Sequence, residues 1–437
     1  MAKNRVISAI DIGTAKICTL IAVVEEGGDL RVVGASSVQS QGISKSQIVD
    51  LEKTSQALTE SVDAAERMAG FSISQAFVSV SGKHIESQNS KGVVAVADAT
   101  GDITAADVAR VIEAARAVSL PSTREILHVI PTSYKVDSQD GIKDPVGMSG
   151  VRLEANAHII TGSSTVLRNI GRCLEKLGIQ VAGFVFAGLA ASYAVLNETE
   201  KELGVVLADI GAGSTSLSVF TEGALLYSGV LPIGAMHVTK DIALGAQVSI
   251  PAAETLKVAL AAWKGGSESR LANESREDSR LRKKKEDQID LQQLGLAEET
   301  KHLSRQFLID GIIVPREKEI FEIMAKELEE QKLMGEVPAG IILTGGGAET
   351  IAMTDTARKV LNLSARIGRP QGVRGLIDEI ETPMYAASMG LLLYGRDQGQ
   401  TAAGEPSGGF SLGSVTRHLS TGNAAEWLKK FFKTFIP

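Results

Sequence analysis

The chain has 437 residues, 44% of them hydrophobic and 22% charged, with a formal net charge of −7 and two cysteines. That length allows roughly two to four domains with ample core, and the composition excludes disorder over the full length. An acidic balance without a basic stripe argues against a dedicated nucleic-acid binder, and Cys18 and Cys173 show neither metal-ligand spacing nor a disulfide framework.

In chain order, the basic start "MAKNRVISAIDIG" turns polar at Asp11, too early for the apolar stretch of a signal peptide. No apolar run approaches the roughly 20 residues of a membrane span, so a cytoplasmic body is expected. Residues 7–34, "ISAIDIGTAKICTLIAVVEEGGDLRVVG", read as strand, tight turn, strand, turn, strand. Strands follow in "AFVSVSG" (76–82), "GVVAVA" (92–97) and "ANAHIITG" (155–162). Apolar residues at helical spacing predict helices over 103–118 and 162–178, with Ser, Thr or Asp near their starts and Gly178 at the second stop. At 205–230, "VVLADIGAGSTSLSVFTEGALLYSGV" repeats the opening meander, so the chain reads as α/β with two related halves, each running an apolar strand into Asp-Ile-Gly. The charged stretch 264–290 reads as a solvated loop or an exposed helix. A buried strand and a third glycine turn follow in "AGIILTGGGAE" (339–349). Residues 397–423, rich in Gly, Ser and Thr, read as a flexible linker.

The chemistry sits in the turns. A glycine turn after a strand lets backbone N–H groups approach phosphate oxygens with no Cβ in the way. Two facing turns can clamp a triphosphate through Gly13, Ala15, Gly211 and Gly213, with Gly345, Gly346 and Gly347 forming a third wall. Thr14, Ser214 and Thr215 offer hydroxyl donors, while Asp11 and Asp209 at the strand ends suit Mg²⁺ held through its waters. Lys16 is either a phosphate partner or a surface lysine, since side chains alternate along a strand. His84, His128, His158, His237, His302 and His418 lie far apart without metal or triad spacing and read as structural.

The ending "GNAAEWLKKFFKTFIP" is unlike a chain with only 4% aromatic residues. At 100° per residue from Trp427, Phe431 falls at about 40°, Phe435 at about 80°, Leu428 at about 100°, Phe432 at about 140° and Ile436 at about 180°. Lys429, Lys433 and Lys430 fall at about 200°, 240° and 300° on the other half. Thirteen helical residues reach about 20 Å against a hydrocarbon core of about 30 Å, so this helix is expected to lie in a membrane interface and not to span.

The loops "AIDIGTAK" and "LADIGAGSTSLSV", with the adenosine-type loop "GIILTGGGAE", resemble the actin/Hsp70/sugar-kinase superfamily, and the chain is similar in finer detail to the FtsA family of bacterial actin-like cell-division proteins. "FAGLAASYAVL" (186–196) resembles the helix before the second phosphate loop, "TPMYAASMGLLLYG" (382–395) the closing helix, and "AETLK" the adenosine-contacting helix, carrying over Glu254 and Lys257 by position. The resemblance implies an actin-like ATPase fold around a nucleotide cleft: subdomain 1A at 1–81 and 165–203, an inserted 1C at 82–164, 2A at 204–235 and 338–396, 2B at 236–337, the linker at 397–423 and a membrane-targeting helix at 424–437. It implies ATP and Mg²⁺ as ligands, and polymerisation on the cytoplasmic face of the cell membrane at the division site. Implied partners are further copies of the chain, other divisome proteins, anionic lipid, and the tail of FtsZ on 2B, with Lys301 and Arg305 as contacts. Ala212 replaces a common glycine, and Ser216 stands where relatives commonly carry an acid, which implies slow ATP hydrolysis at most. The alternatives are a PilM-like pilus-assembly adaptor or a small-molecule kinase of the same superfamily; the kinase would need a base and a sugar pocket that the sequence does not identify.

Overall fold

The computed structural model describes residues 5–97, 101–263, 285–296, 298, 302–375 and 378–404. The chain divides into a compact unit, Met1–Arg396, and a second, Asp397–Pro437. In the first unit, β1 (Val6–Ile12), β2 (Lys16–Val24) and β3 (Leu30–Gln39) form an antiparallel meander, followed by a short hairpin of β4 (Ile43–Ser44) and β5 (Gln47–Ile48) and by α1 (Leu51–Ala69). Asp50 caps α1, accepting from the N–H groups of Glu52 and Lys53, and Gly70 ends it with φ +80°. β6 (Gln75–Val80) then runs parallel to β1. Residues 17–23 of β2 are all buried, as expected for a central strand covered on both faces.

An insert follows: β7 (Glu86–Ala95), α2 (Ala105–Arg116), β8 (Arg124–Val136), β9 (Gln139–Ile142) and β10 (Arg152–Ser163), making a separate sheet of order β7-β10-β8-β9. Thr104 and Asp107 form a reciprocal capping box at the start of α2, close to the sequence expectation. The sequence did not flag β8, at thirteen residues the longest strand of the insert. After α3 (Ser164–Glu175), β11 (Gln180–Phe186) closes the first sheet beside β6.

The second half begins after α4 (Ala187–Val195) and α5 (Glu198–Leu203) with β12 (Val205–Ile210), β13 (Thr215–Thr221) and β14 (Ala224–Leu231). It continues through α6 (Ala235–Ala246), α7 (Ile250–Ala261) and the short pair β15 (Gln288–Asp290) and β16 (His302–Ser304). β17 (Ile341–Thr344) and β18 (Ala365–Ile367) complete its sheet, and β19 (Val373–Gly375) returns to the first. The order β14-β13-β12-β17-β18 repeats β3-β2-β1-β6-β11, with β19 added beside β3. The sequence repeat is therefore a repeat of topology. The insert packs on the second half: His158 Nε2 lies 3.1 Å from Ser228 Oγ on β14, and Ser87 donates to Ser228 O at 2.7 Å. Burial lowers the His158 pKa to about 4, so it serves there as a neutral, structural group.

The helix Val314–Glu330 packs on Met353–Leu361, and between them Glu317 is fully buried. Its Oε2 accepts from Thr356 at 3.0 Å, Oε1 has no hydrogen-bond partner among the described residues, and burial pushes the carboxyl up to about 9. A folded pKa above the unfolded one means that this stabilisation is complete below about pH 4.5 and drains away as pH rises toward 9. Glu317→Gln should therefore raise Tm at pH 8, by about 2–4 °C for each kcal/mol recovered, and change little at pH 4. Melting curves at the two pH values check this; a gain that does not grow with pH would refute it.

The last helix, Ala386–Gly404, runs beyond the expected linker start at 397. The rest of that linker, the terminal segment 424–437 and residues 264–284 of the charged stretch lie outside the described residues. Lys301 does too.

Candidate functional site

A cavity of about 620 Å³ opens where the corresponding ends of the two sheets meet. Both Asp-Ile-Gly turns reach it by the same construction. Asp11 pairs with Cys18 and Asp209 with Ser216, the last register positions but one of their hairpins. Gly13 N–H donates to Lys16 O at 2.9 Å, and Gly211 N–H to Ser214 O at 2.9 Å. Asp11, Gly13, Thr14, Ala15 and Lys16 line the cavity from one half; Asp209, Gly211, Ala212, Ser214, Gly345, Gly346 and Gly347 line it from the other. Ala212 is not among the residues with positive φ, so its Cβ is tolerated.

Two expected residues are placed differently. Thr215 is fully buried, and its hydroxyl donates to Ile233 O at 2.8 Å. Side chains alternate from Ser214 into β13, so Ser214 and Ser216 face the cavity while the Thr215 hydroxyl faces the core and does not point to a phosphate. Gly213 is not a lining residue either. It marks a close approach, since a Cβ there would sit 2.7 Å from Thr14 Oγ1.

Lys16 is not a surface lysine. Its Nζ is buried, lies 3.4 Å from the centroid of the Tyr385 ring and has no hydrogen-bond partner among the described residues. Burial lowers its pKa, opposed by Cys18, Asp11 and Asp209. The Asp209 carboxyl is raised to about 7, first by burial and then by the charge of Asp11, with Lys16 opposing. An ammonium buried without a hydrogen-bond acceptor among the described residues, beside an Asp209 carboxyl that burial and the Asp11 charge push up, is a charge arrangement that an anion plus a divalent cation would relieve. Asp11 is held in place by hydroxyls: Ser79 donates to Oδ1 at 2.5 Å and Ser388 to Oδ2 at 3.4 Å.

At the other end, Glu254 and Lys257 share one turn of α7. Lys257 Nζ donates to Glu254 Oε2 at 2.8 Å and to Thr239 Oγ1 at 2.9 Å, and Thr239 donates to Glu254 at 2.6 Å. Lys257 is buried, so this is not the solvated pair that i,i+3 spacing alone suggests. Val258, Ile367 and Met384 add exposed apolar surface to the cavity lining. Sequence reasoning missed these three, together with Ser46, Ser79 and Ser81. The signal for Ser79 and Ser81 was available: they alternate at the carboxyl end of β6, the parallel neighbour of β1, where ligands of open α/β sheets bind. Ser216, standing where an acid was expected, lies 2.9 Å from Ser81 Oγ across the cleft, a neutral pair with no base for water.

Residues 82–161 match the family described as "SHS2 domain inserted in FTSA", and 206–390 match "Cell division protein FtsA". The cell division protein FtsA of Pseudomonas aeruginosa is 37% identical over 90% of this chain and 89% of its own length. That of Escherichia coli K12 is 34% identical over 98% of this chain and 99% of its own. The chain belongs to the FtsA family. Its role is accordingly that of an actin-like protein of cell division. Among solved structures, this FtsA-family chain is similar to the PilM-PilN type IV pilus biogenesis complex, with TM-score 0.60 and 15% identity over 89% of this chain and 98% of the other. It is also similar to MreB5 of Spiroplasma citri bound to ADP, with TM-score 0.51 and 12% identity over 92% and 99%. At these identities the likenesses show the actin-like fold alone. Among the described residues, no helix is long and apolar enough to cross a membrane.

Proposed function

We propose that this FtsA-family protein binds ATP with Mg²⁺ between its two halves, polymerises on the cytoplasmic face of the membrane at the division site, and anchors FtsZ filaments there. The observation that carries the nucleotide reading is the Lys16 ammonium, buried without a hydrogen-bond acceptor among the described residues between two matched glycine turns. Lys16, Thr14, Ser214 and the turn N–H groups would take phosphate oxygens; Glu254 and Lys257 would take the nucleoside. Asp11 and Asp209 would hold Mg²⁺ through its waters, and the ion supplies charge neutralisation at the phosphates. The residues come from both halves, so binding couples the halves and sets competence to assemble. With Ser216 paired to Ser81, turnover is slow at most. Subdomain boundaries follow the family scheme, 1A, 1C, 2A and 2B, with the segment 424–437 as the membrane helix.

The FtsZ tail would dock on 2B, residues 236–337. Arg305 is a less available contact than its sequence position suggests: its guanidinium donates to the carbonyls of Glu286 and Gln288 and lies 5.6 Å from the Trp263 ring. It fastens β15 to the helix that follows β16, which leaves Lys301 as the contact to test by charge reversal.

Electron microscopy of the full chain with ATP and vesicles containing phosphatidylglycerol tests nucleotide, polymer and membrane together. Filaments coating the vesicles only with ATP are expected. Bare vesicles at saturating ATP would remove the assembly reading. The pilus-adaptor and small-molecule kinase alternatives have no residue-level observation in their favour.

A further inference from the structure

The β4–β5 hairpin is no part of the phosphate loops, yet its tip lies on the cavity. Ser44 pairs with Gln47, leaving Lys45 and Ser46 as a two-residue turn with φ of 47° and 60°. Two successive left-handed residues make the type of turn in which Asn-Gly is the low-strain choice. Keeping side chains where glycine would relax the backbone points to a use for one of them. Lys45 is exposed to solvent, whereas Ser46 is half-buried and lines the cavity. Its N–H donates to Thr14 Oγ1 at 2.9 Å, and its hydroxyl lies 2.9 Å from Ser214 Oγ. One residue thus contacts the hydroxyls that both phosphate loops present.

The arm carrying Ser46 is fixed at its base. Gly42 O accepts from the N–H groups of Val49 at 2.8 Å and Asp50 at 3.1 Å, and Ser40 N–H donates to Ala15 O at 2.9 Å. The hydroxyl is therefore placed in advance, at the seam between the halves, where a Cβ on Gly213 would stand 3.0 Å from Lys45 Cα.

We propose that Ser46 is a further phosphate-binding residue, and that the hairpin tip is the wall that distinguishes a nucleoside triphosphate from a diphosphate. This rests on the nucleotide reading above. The nucleoside end belongs at Glu254, Lys257 and Gly346, all in the second half, so the phosphate that meets loops of both halves together is the terminal one. Thr14 and Ser214 flank that position, and Ser46 bonds to both. A diphosphate stops short of the seam and gains nothing from Ser46.

Titration calorimetry of the full chain with Mg·ATP and Mg·ADP tests this in the wild type, Ser46→Ala, Ser46→Gly and the exposed control Ser44→Ala. Loss of one hydrogen bond to a charged oxygen should weaken ATP about tenfold in both Ser46 variants and leave ADP within about twofold. Ser46→Gly relaxes the turn while removing the hydroxyl, so agreement of the two variants assigns the loss to the hydroxyl and not to strain. Ser44→Ala should change neither affinity. An unchanged ATP-to-ADP ratio in both Ser46 variants overturns the proposal and leaves the nucleotide reading standing. A wild type that binds neither nucleotide overturns both.

Discussion

Gly346→Asp should abolish nucleotide binding while leaving the fold intact. The three glycines of the third turn are not equivalent. Gly345 has φ +81°, and a Cβ on it would stand 2.3 Å from Asp209 Oδ1; a Cβ on Gly347 would stand 2.5 Å from Ile210 Cγ2. A side chain at either would disturb the turn itself. At Gly346 the nearest atom is Met384 Cβ at 3.6 Å, an ordinary contact, so a carboxylate there enters the cavity without moving the backbone. It would meet a polyanion. At about 5 Å and an effective dielectric near 20, one like-charge pair costs about 3 kcal/mol, on the order of a hundredfold in affinity before any steric term. Calorimetry with Mg·ATP should show at least that loss, with Tm within about 2 °C of wild type. Gly346→Ala, which adds only a methyl group, is the control and should stay near wild type. ATP affinity within threefold of wild type in the Asp variant would remove the nucleotide from this cavity.

Trp427→Glu or Phe431→Glu should release the protein from anionic vesicles without altering ATP affinity. Both residues lie outside the described residues; in the sequence, large apolar groups fall on one half of a helical wheel and lysines on the other. Burying a Phe or Leu side chain is worth roughly 1.5–3 kcal/mol, and each lysine near an anionic surface about 1 kcal/mol. Ordering a short helix takes back much of that sum. A single chain therefore binds reversibly, and a polymer presenting many such segments binds tightly by avidity, so attachment reports assembly. A glutamate at either position on the apolar half removes one of the largest contributions and adds a charge to the face that enters the lipid. Co-sedimentation with phosphatidylglycerol vesicles should fall to background for either variant and for a chain ending at Asn423. Undiminished sedimentation of that shortened chain would end the anchor reading.

The duplicated meander was legible because strand alternation and the glycine demand of a tight turn are local properties: Asp11-Ile12-Gly13 and Asp209-Ile210-Gly211 can be read without knowing what faces them. The capped start of α2 and the stop at Gly178 were legible for the same reason. Alternation also separates Thr215 from Ser214 and Ser216, but not which set faces the cavity. That depends on the sheet's neighbours, and the core took Thr215.

The sequence by itself determined the α/β class, the two halves, the three turns and the family resemblance, since each rests on residues adjacent in the chain. Only the tertiary structure decided that Lys16 is buried, that Glu254 and Lys257 share Thr239, and that Ser46, Ser79 and Ser388 converge on Thr14 and Asp11. Ser388 lies 377 positions from the carboxylate it meets. Charge state follows the same division: the Asp209 carboxyl moves to about 7 through desolvation and the nearness of Asp11, and both arise only when two distant segments close around one cavity and exclude water from it.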